Sequence, residues 1–446
     1  MPTNKNTVSA DPAKGFFVSM LIKDITLRDA IGDLVDNSVD AIKTRADNPN
    51  DLKGFEIDIK LGKTYFSIED NGYGMEAEVA RTTAFNFGKS ENHNLIDNSI
   101  GQFGIGMKRA FFKIGNKIQV KSTSPKSKFE IDIDVQEWLK DKETWQYSFK
   151  EDTLQEDIKN PPSKTGFRVK ISELSNDSEL SFNDKTFEDQ LIKEIQYEHM
   201  LNINKGLVIK INDFILKTTP IDLVFDENVK PSFWEKLEEN QSVRILAGIS
   251  TKDDEDGGWY IFCNDRLIIA KNKTDETVWT GSKGDGVPLW HAQYHRFRGY
   301  VFFEAKDSAL LPWNTTKTGM DLDSPYYKEV RRNMIIMTRQ VMDLLDKLKT
   351  EKEKDNPSEE QTLNKAIEKS LENPISVVEA LKQTHSLSNK FTYPVKLFNP
   401  PRKSKMTNIS YQVPTERFNQ VKEDINASTS KEVGLHTFNY YFENEL

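Results

Sequence analysis

Arg28-Asp-Ala-Ile-Gly-Asp-Leu-Val-Asp-Asn-Ser-Val-Asp-Ala-Ile42 is the stretch whose reading decides the fold. Leu27, Ile31, Leu34, Val35, Ser38 and Ile42 recur at helical spacing, which predicts one helix with that face buried against a sheet. Asp33 and Asn37 are four apart and stack on a neighbouring face. Ala30 and Ala41 are small and leave room beside them. A carboxylate and an amide one turn apart, next to open space, can hold a metal and steer a water. The same spacing also describes an amphipathic helix with a solvated acidic edge, and the helix alone does not choose between the two.

Upstream, Lys14 to Leu21 reads as a short helix or an entry strap. Downstream, Phe55 to Leu61 alternates apolar and charged residues as a half-buried strand does, and Tyr65 to Glu69 is a second strand joined to it across Gly62-Lys63. The second strand runs into Asp70-Asn-Gly-Tyr-Gly-Met75, a carboxylate at a strand end followed by glycines that let backbone approach a ligand. Ile100-Gly-Gln-Phe-Gly-Ile-Gly-Met-Lys-Arg-Ala110 then leads Gly101, Gly104 and Gly106 into a helix over 107–112. A glycine-rich turn feeding a helix offers N–H groups to phosphate. Its spacing is neither that of a dinucleotide-binding fingerprint nor that of a Walker loop. The polar run Ser90 to Ser99 before it reads as a lid. Further strands are expected at 117–121, 129–134 and 165–171, the last opened by Thr165-Gly166.

Composition sets the bounds. The 446 residues suffice for two or three domains. A net charge of −9 gives no overall basic field for nucleic acid or anionic membrane, so such a contact must come from a local patch. The single cysteine, Cys263, excludes an intrachain disulfide and a cysteine metal site. The N-terminus lacks the apolar core of a signal peptide and no apolar run is long enough to span a membrane, which fits a cytoplasmic protein.

The motifs occur in a fixed order: Asp-x-x-x-Asn on a helix, Asp-x-Gly-x-Gly after a strand, Gly-x-x-Gly-x-Gly before a helix, then a Thr-Gly strand. That order resembles the GHKL superfamily of gyrase-type ATPases, heat-shock 90 chaperones, histidine kinases and MutL, with the closest wording in its MORC-like branch. The resemblance implies an α+β chain: a Bergerat-type ATP-binding α/β sandwich over residues 1–175, a transducer-like α/β domain over 176–350, a helix and linker over 351–407, and a small strand-helix-helix module over 408–446. It implies ATP and Mg²⁺ as ligands. Asn37 matches the metal-holding asparagine and Asp70 the carboxylate that accepts the adenine amino group. Gly72 and Gly74 match the glycines under base and sugar, Gly101, Gly104 and Gly106 the phosphate turn, and Thr165 a threonine near the adenine. Ala41 is expected to line the pocket, and Met75, Gln102, Phe103 and Ile105 join the nucleotide-binding set within the same motifs. Asp33 stands where MutL, gyrase and the heat-shock 90 chaperones carry the glutamate that activates water. Aspartate is one methylene shorter, which implies slow turnover. Lys317, in Leu311-Pro-Trp-Asn-Thr-Thr-Lys-Thr-Gly319, matches a transducer-loop lysine that reaches the terminal phosphate. Lys89 and Lys108 are assigned to the helix surface instead.

The second domain is expected to comprise a helix over 182–202, a hairpin of 206–212 with 214–217, strands at 243–249, 258–269 and 297–305, and a helix over 326–349. In the tail, a helix over 363–383 is interrupted near Pro374. A strand over 409–414, a helix over 415–424 and a second helix from Lys431 resemble a ribbon-helix-helix module, whose strand, with Asn408, Ser410 and Gln412, would face DNA bases while Arg402 to Lys405 meet phosphates. A helical pair packed on the body or on a second subunit fits the same pattern. The resulting expectation is a Mg-dependent ATPase that uses ATP-gated homodimerisation to act on DNA, or on partner proteins of a DNA-associated complex, in prokaryotic defence or repair. The alternatives are a chaperone-like ATPase acting on protein clients and a non-hydrolysing ATP-sensing scaffold.

Overall fold

The computed structural model describes residues 13–87, 99–101, 104–141, 144–218, 220–251, 255–282, 284–314, 316–352, 361–398 and 407–445. Gln102 and Phe103, most of the expected lid with Lys89, and the run 402–405 lie outside the described residues. The chain forms two compact units, Met1–Asn399 and Pro400–Leu446.

In the first unit, helix α1 (Lys14–Lys23) precedes α2 (Leu27–Arg45), which carries the opening motif. Strands β1 (Glu56–Leu61) and β2 (Tyr65–Asp70) form the expected hairpin. A single-turn α3 (Ala77–Val79) comes next, and α4 (Gly106–Ile114) begins at the last glycine of the phosphate-turn motif. Then come β3 (Gly115–Thr123), β4 (Lys128–Asp134), α5 (Val135–Lys140) and β5 (Gly166–Leu174). Helix α6 (Asn176–Phe182) comes first, and α7 (Lys185–Glu198) and α8 (Met200–Asn204) occupy the stretch 182–202 read as one helix. Asp184 caps α7 and so separates it from α6, and His199, at φ of −109° and ψ of 18°, separates α7 from α8. Strands β6 (Val208–Ile211) and β7 (Phe214–Ile215) pair across Asn212 as expected.

That hairpin joins the first sheet. The order is β4-β3-β5-β2-β1-β6-β7, with β6 parallel to β1 and every other neighbour antiparallel. The sheet thus crosses the expected boundary near residue 175. Alternation explains its two faces: Ile57, Ile59 and Leu61 are buried while Glu56, Asp58 and Lys60 are not. The outer face carries cross-strand pairs such as Lys121–Glu130 and Arg168–Glu69.

A second sheet holds β9 (Ser232–Leu237), β10 (Gln241–Ile249), β11 (Gly258–Cys263), β12 (Arg266–Asn272) and β13 (Phe297–Ala305), after a short β8 (Asp222–Leu223). Its order is β12-β11-β13-β10-β9. Both faces are covered. Trp259, Ile261 and Cys263 enter one core with α9 (Pro325–Lys352), whereas Tyr260 and Phe262 enter another with Met200, Leu201 and Val377. The stretch 258–269, read as one strand, is a hairpin: Asn264 and Asp265 both have positive φ (47° and 69°), as a two-residue turn of primed type requires. Helix α10 (Thr362–Ser370), β14 (Ile375–Ser376, paired with β8) and α11 (Val377–Lys382) realise the helix broken near Pro374.

In the second unit α12 (Thr415–Asp424) and α13 (Ser430–Glu445) are the two expected helices. The strand expected at 409–414 does not form: residues 407–414 have no ladder partner among the described residues. Strand geometry is secured by pairing, and alternation alone does not supply it.

Candidate functional site

The site is built on α2. Thr26 and Asp29 form a reciprocal capping box, each side chain bonding the other's backbone N–H (3.1 and 3.2 Å), which fixes where the helix starts and the phase of everything after it. Asp33, Asp36 and Asp40 are 6%, 0% and 6% exposed, so the acidic edge is interior, not solvated. Asn37 alone of the polar set is exposed, at the open edge, and Ala41 is half-buried.

At one end of this helix lies Asp70, the last residue of β2 and 5% exposed. Its Oδ1 accepts the Gly72 N–H (2.8 Å), while Oδ2 is buried without a hydrogen-bond partner. Burial raises this carboxyl to about 7, against the lowering effect of Gly72, Ser38 and Phe167. Thr165 Oγ donates to the Gly72 carbonyl (2.7 Å), and Tyr73 N–H bonds the Ala41 carbonyl (3.0 Å). The glycines are required here. A Cβ on Gly72 would stand 2.9 Å from the α2 backbone, and Gly74 has φ of +75° with Thr123 O only 2.2 Å from where its Cβ would be. Met75 is tied through N–H and carbonyl to Ser122 Oγ (2.7 and 2.8 Å).

Alongside it, the glycine turn meets α2 from Asp40 back to Asp33. Asp40 accepts the N–H groups of Ile100 and Gly101 (2.9 Å each). Burial raises its carboxyl to about 6, against these two donors and Lys43. A Cβ on Gly101 would lie 3.6 Å from Asn37 Oδ1, and one on Gly106 would lie 3.2 Å from the Asp33 carboxyl. Gly101 would admit a Cβ at ordinary contact distance, whereas Gly106 keeps clear the space beside Asp33 that a Cβ would crowd. Gly104 is exposed, with φ of +64°, and Ile105 half-buried, N-capping α4. Lys108, assigned to the helix surface, is 1% exposed, and burial lowers its ammonium to about 8. It donates to the carbonyls of Ala84 and Gly104, which flank the lid segment on either side. Its ammonium also lies 5.9 Å from the centre of the Phe87 ring, a contact that local periodicity does not reveal. From the second sheet, Asn264 donates to the Ser99 carbonyl (2.9 Å) and Ser308 to that of Gly101 (3.2 Å).

Towards the N-terminal part of α2, at Asp33 and Asp36, is a buried charge network. Arg109 places Nε 2.8 Å and Nη2 2.6 Å from Asp33 Oδ2. Lys317 Nζ lies 3.3 Å from Asp33 Oδ1 and 2.7 Å from Asp36 Oδ2. Arg266 and His199 face Asp36 Oδ1 at 2.9 and 3.4 Å. Burial opposes ionisation of Asp36, but the Arg266 and Lys317 charges hold its carboxyl far below the usual range. The structure thus brings Asp33 and Lys317 together across the chain. Sequence reasoning missed Arg109, Asp36, Asp40 and Arg266. Asp36 and Asp40 continue the three-to-four spacing of Asp33 and Asn37, a signal that was present; Arg266 left none.

Residues 25–165 match the family described as histidine kinase-, DNA gyrase B- and HSP90-like ATPase. Comparison with curated proteins gives no match. The matched span starts one residue before the Thr26 cap and ends on Thr165, so it takes in Asp70, the acidic helix and the glycine turn. Among the described residues no helix is long and apolar enough to cross a membrane. Residues 25–165 are therefore similar to the ATP-binding domain of the GHKL superfamily.

Proposed function

We propose that the protein is a cytoplasmic, Mg-dependent ATPase of slow turnover, whose ATP-bound form dimerises and acts on DNA or a DNA-associated complex. The observation that carries the nucleotide reading is the buried, unpartnered Oδ2 of Asp70. A buried acceptor without a donor is costly unless a ligand supplies one, and the adenine amino group is such a donor. Gly72, Gly74, Met75, Ala41 and Thr165 form the surrounding wall, and Gly101, Gly104, Ile105 and Gly106 the phosphate turn.

The donor set also fits the metal. Among the described residues no cluster of three or more acidic, histidine or cysteine side chains could hold an ion. Mg²⁺ commonly keeps waters and phosphate oxygens as ligands with few protein groups, and the exposed Asn37 amide facing Gly101 supplies one. When bound, it would neutralise phosphate charge. Asp33 then orients and deprotonates the attacking water, and Lys317 meets the terminal phosphate.

Dimerisation and DNA action rest on the likeness to MORC and MutL relatives. The C-terminal unit, residues 400–446, has six basic and six acidic residues, so phosphate contact there falls to the local run 402–405.

A non-hydrolysing ATP sensor is the second reading. It is favoured by Asp33 itself, whose two oxygens are taken by Arg109 and Lys317. Isothermal calorimetry with ATP, combined with phosphate release, separates the two. Wild type binds and slowly releases phosphate under the first reading, and binds without release under the second. Asp70→Asn loses binding under either; unchanged binding in that variant removes the nucleotide assignment.

A further inference from the structure

Arg266 opens β12, immediately after the Asn264-Asp265 turn, and is 4% exposed. Its guanidinium uses three donors on three separate parts of the first unit. Nε donates to Asp36 Oδ1 on α2 (2.9 Å), Nη2 to Glu198 Oε1 at the end of α7 (2.9 Å), and Nη1 to the main-chain carbonyl of Lys317 (3.0 Å). Asp36 is shared: one oxygen faces Arg266, the other the Lys317 ammonium at 2.7 Å.

The Arg266–Glu198 pair lies against α2 at Gly32, where a Cβ would stand at contact distance, 3.4 Å from Glu198 and 3.8 Å from Arg266. Lys317 has φ of 57°, a conformation that non-glycine residues adopt only when their surroundings hold them. Two main-chain contacts do so: its N–H bonds the Asn314 carbonyl (3.0 Å), and its own carbonyl accepts from Arg266.

We propose that Arg266 is a positioning residue for Lys317. By joining Asp36 to the Lys317 backbone it sets where a flexible lysine can reach, beside Asp33 and the start of α4. Lys317 apart, it makes no hydrogen bond to a residue assigned to the nucleotide. The proposal rests on the reading of Lys317 as the terminal-phosphate contact. A planar fork with donors in three directions is what the three acceptors need, and a lysine at 266 keeps the charge but loses that fork.

The test is the preference for a triphosphate over a diphosphate. Affinities for a non-hydrolysable ATP analogue and for ADP are measured by calorimetry in wild type, Arg266→Lys, Lys317→Ala and the double variant, so turnover is not needed. Wild type should prefer the triphosphate. Lys317→Ala should lose the preference, and Arg266→Lys should lose about fivefold or more of it while ADP affinity stays within about threefold. The double variant should match Lys317→Ala within about twofold, because the two residues act through one contact. A purely structural role would weaken ADP equally. Should Arg266→Lys fail to fold, Asp36→Asn interrupts the same bridge and should show the same selective loss. A wild-type preference kept in both Arg266→Lys and Asp36→Asn, a wild type without preference, or independent multiplicative losses in the double variant overturns the proposal. A wild type that binds neither nucleotide instead overturns the function reading on which it rests.

Discussion

Arg109 and Asp33 join the first turn of the glycine-led helix to the middle of α2 through two guanidinium nitrogens on one carboxylate oxygen, at 2.6 and 2.8 Å. Both side chains are largely buried, at 13% and 8% exposure. Truncating Arg109 leaves Asp33 with only the Lys317 ammonium, 3.3 Å away, so Arg109→Ala should lower stability by about 1–3 kcal/mol. In Asp33→Asn the pair is already broken, and Arg109→Ala should then cost less. Chemical denaturation of the two single variants and the double variant checks this, and a coupling energy near zero means the pair is not what holds α4 to α2.

The same carboxylate carries a kinetic prediction. Asp33→Asn keeps its place beside Gly106 but cannot take a proton from water. It should bind ATP with affinity close to that of wild type and release no phosphate above background. Equal phosphate release by variant and wild type would take Asp33 out of the mechanism.

Asp70 predicts a pH dependence of stability. Burial raises its carboxyl from 3.8 to about 7, so the folded protein binds this proton more tightly than the unfolded chain does. Ionising it as pH rises from about 4 to 7 therefore costs stability. Asp70→Asn has no such cost. Its melting temperature should gain on wild type by a few degrees between about pH 5 and pH 8. Asp40 and Glu198, raised by burial to about 6 and about 7, titrate in the same window in both proteins and cancel from the difference. A difference in melting temperature that is flat across pH would show that Asp70 ionises freely in the folded state.

Gly74 tests the backbone of the adenine end. An alanine there would face both a positive φ of +75° and the Thr123 carbonyl 2.2 Å from its Cβ. Gly74→Ala should cost roughly 2–4 kcal/mol in thermal or denaturant unfolding. Gly54, also at positive φ (+85°) but with nothing within 4 Å, is the control for strain without crowding and should cost less as alanine.

Sedimentation addresses assembly. The non-hydrolysable ATP analogue should convert the protein to a species of twice the mass, ADP should not, and Lys317→Ala should abolish the conversion. A mass unaffected by any nucleotide rejects ATP-gated dimerisation.

Local order was legible from residue type and spacing. Apolar residues every third or fourth position give the buried face of α2, and alternation gives strands such as β1. Glycines at 72, 74, 101 and 106 mark places where backbone must pass close to something. These signals are short-range, so they determined the elements, their sequence along the chain and thereby the ATPase superfamily. The tertiary structure decided which charges are interior. Asp36 and Lys108 read as surface residues until other elements cover them, and burial is set by partners distant in sequence: Arg266 lies 230 residues and Lys317 281 residues from Asp36. It also decided that Val208–Ile211 completes the first sheet, since a parallel partner has no local signature. In the opening stretch, the sequence placed a carboxylate and an amide one helical turn apart. Folding made the acidic edge a buried junction among α2, the glycine turn and the second sheet, because only the three-dimensional arrangement brings three cations to its carboxylates.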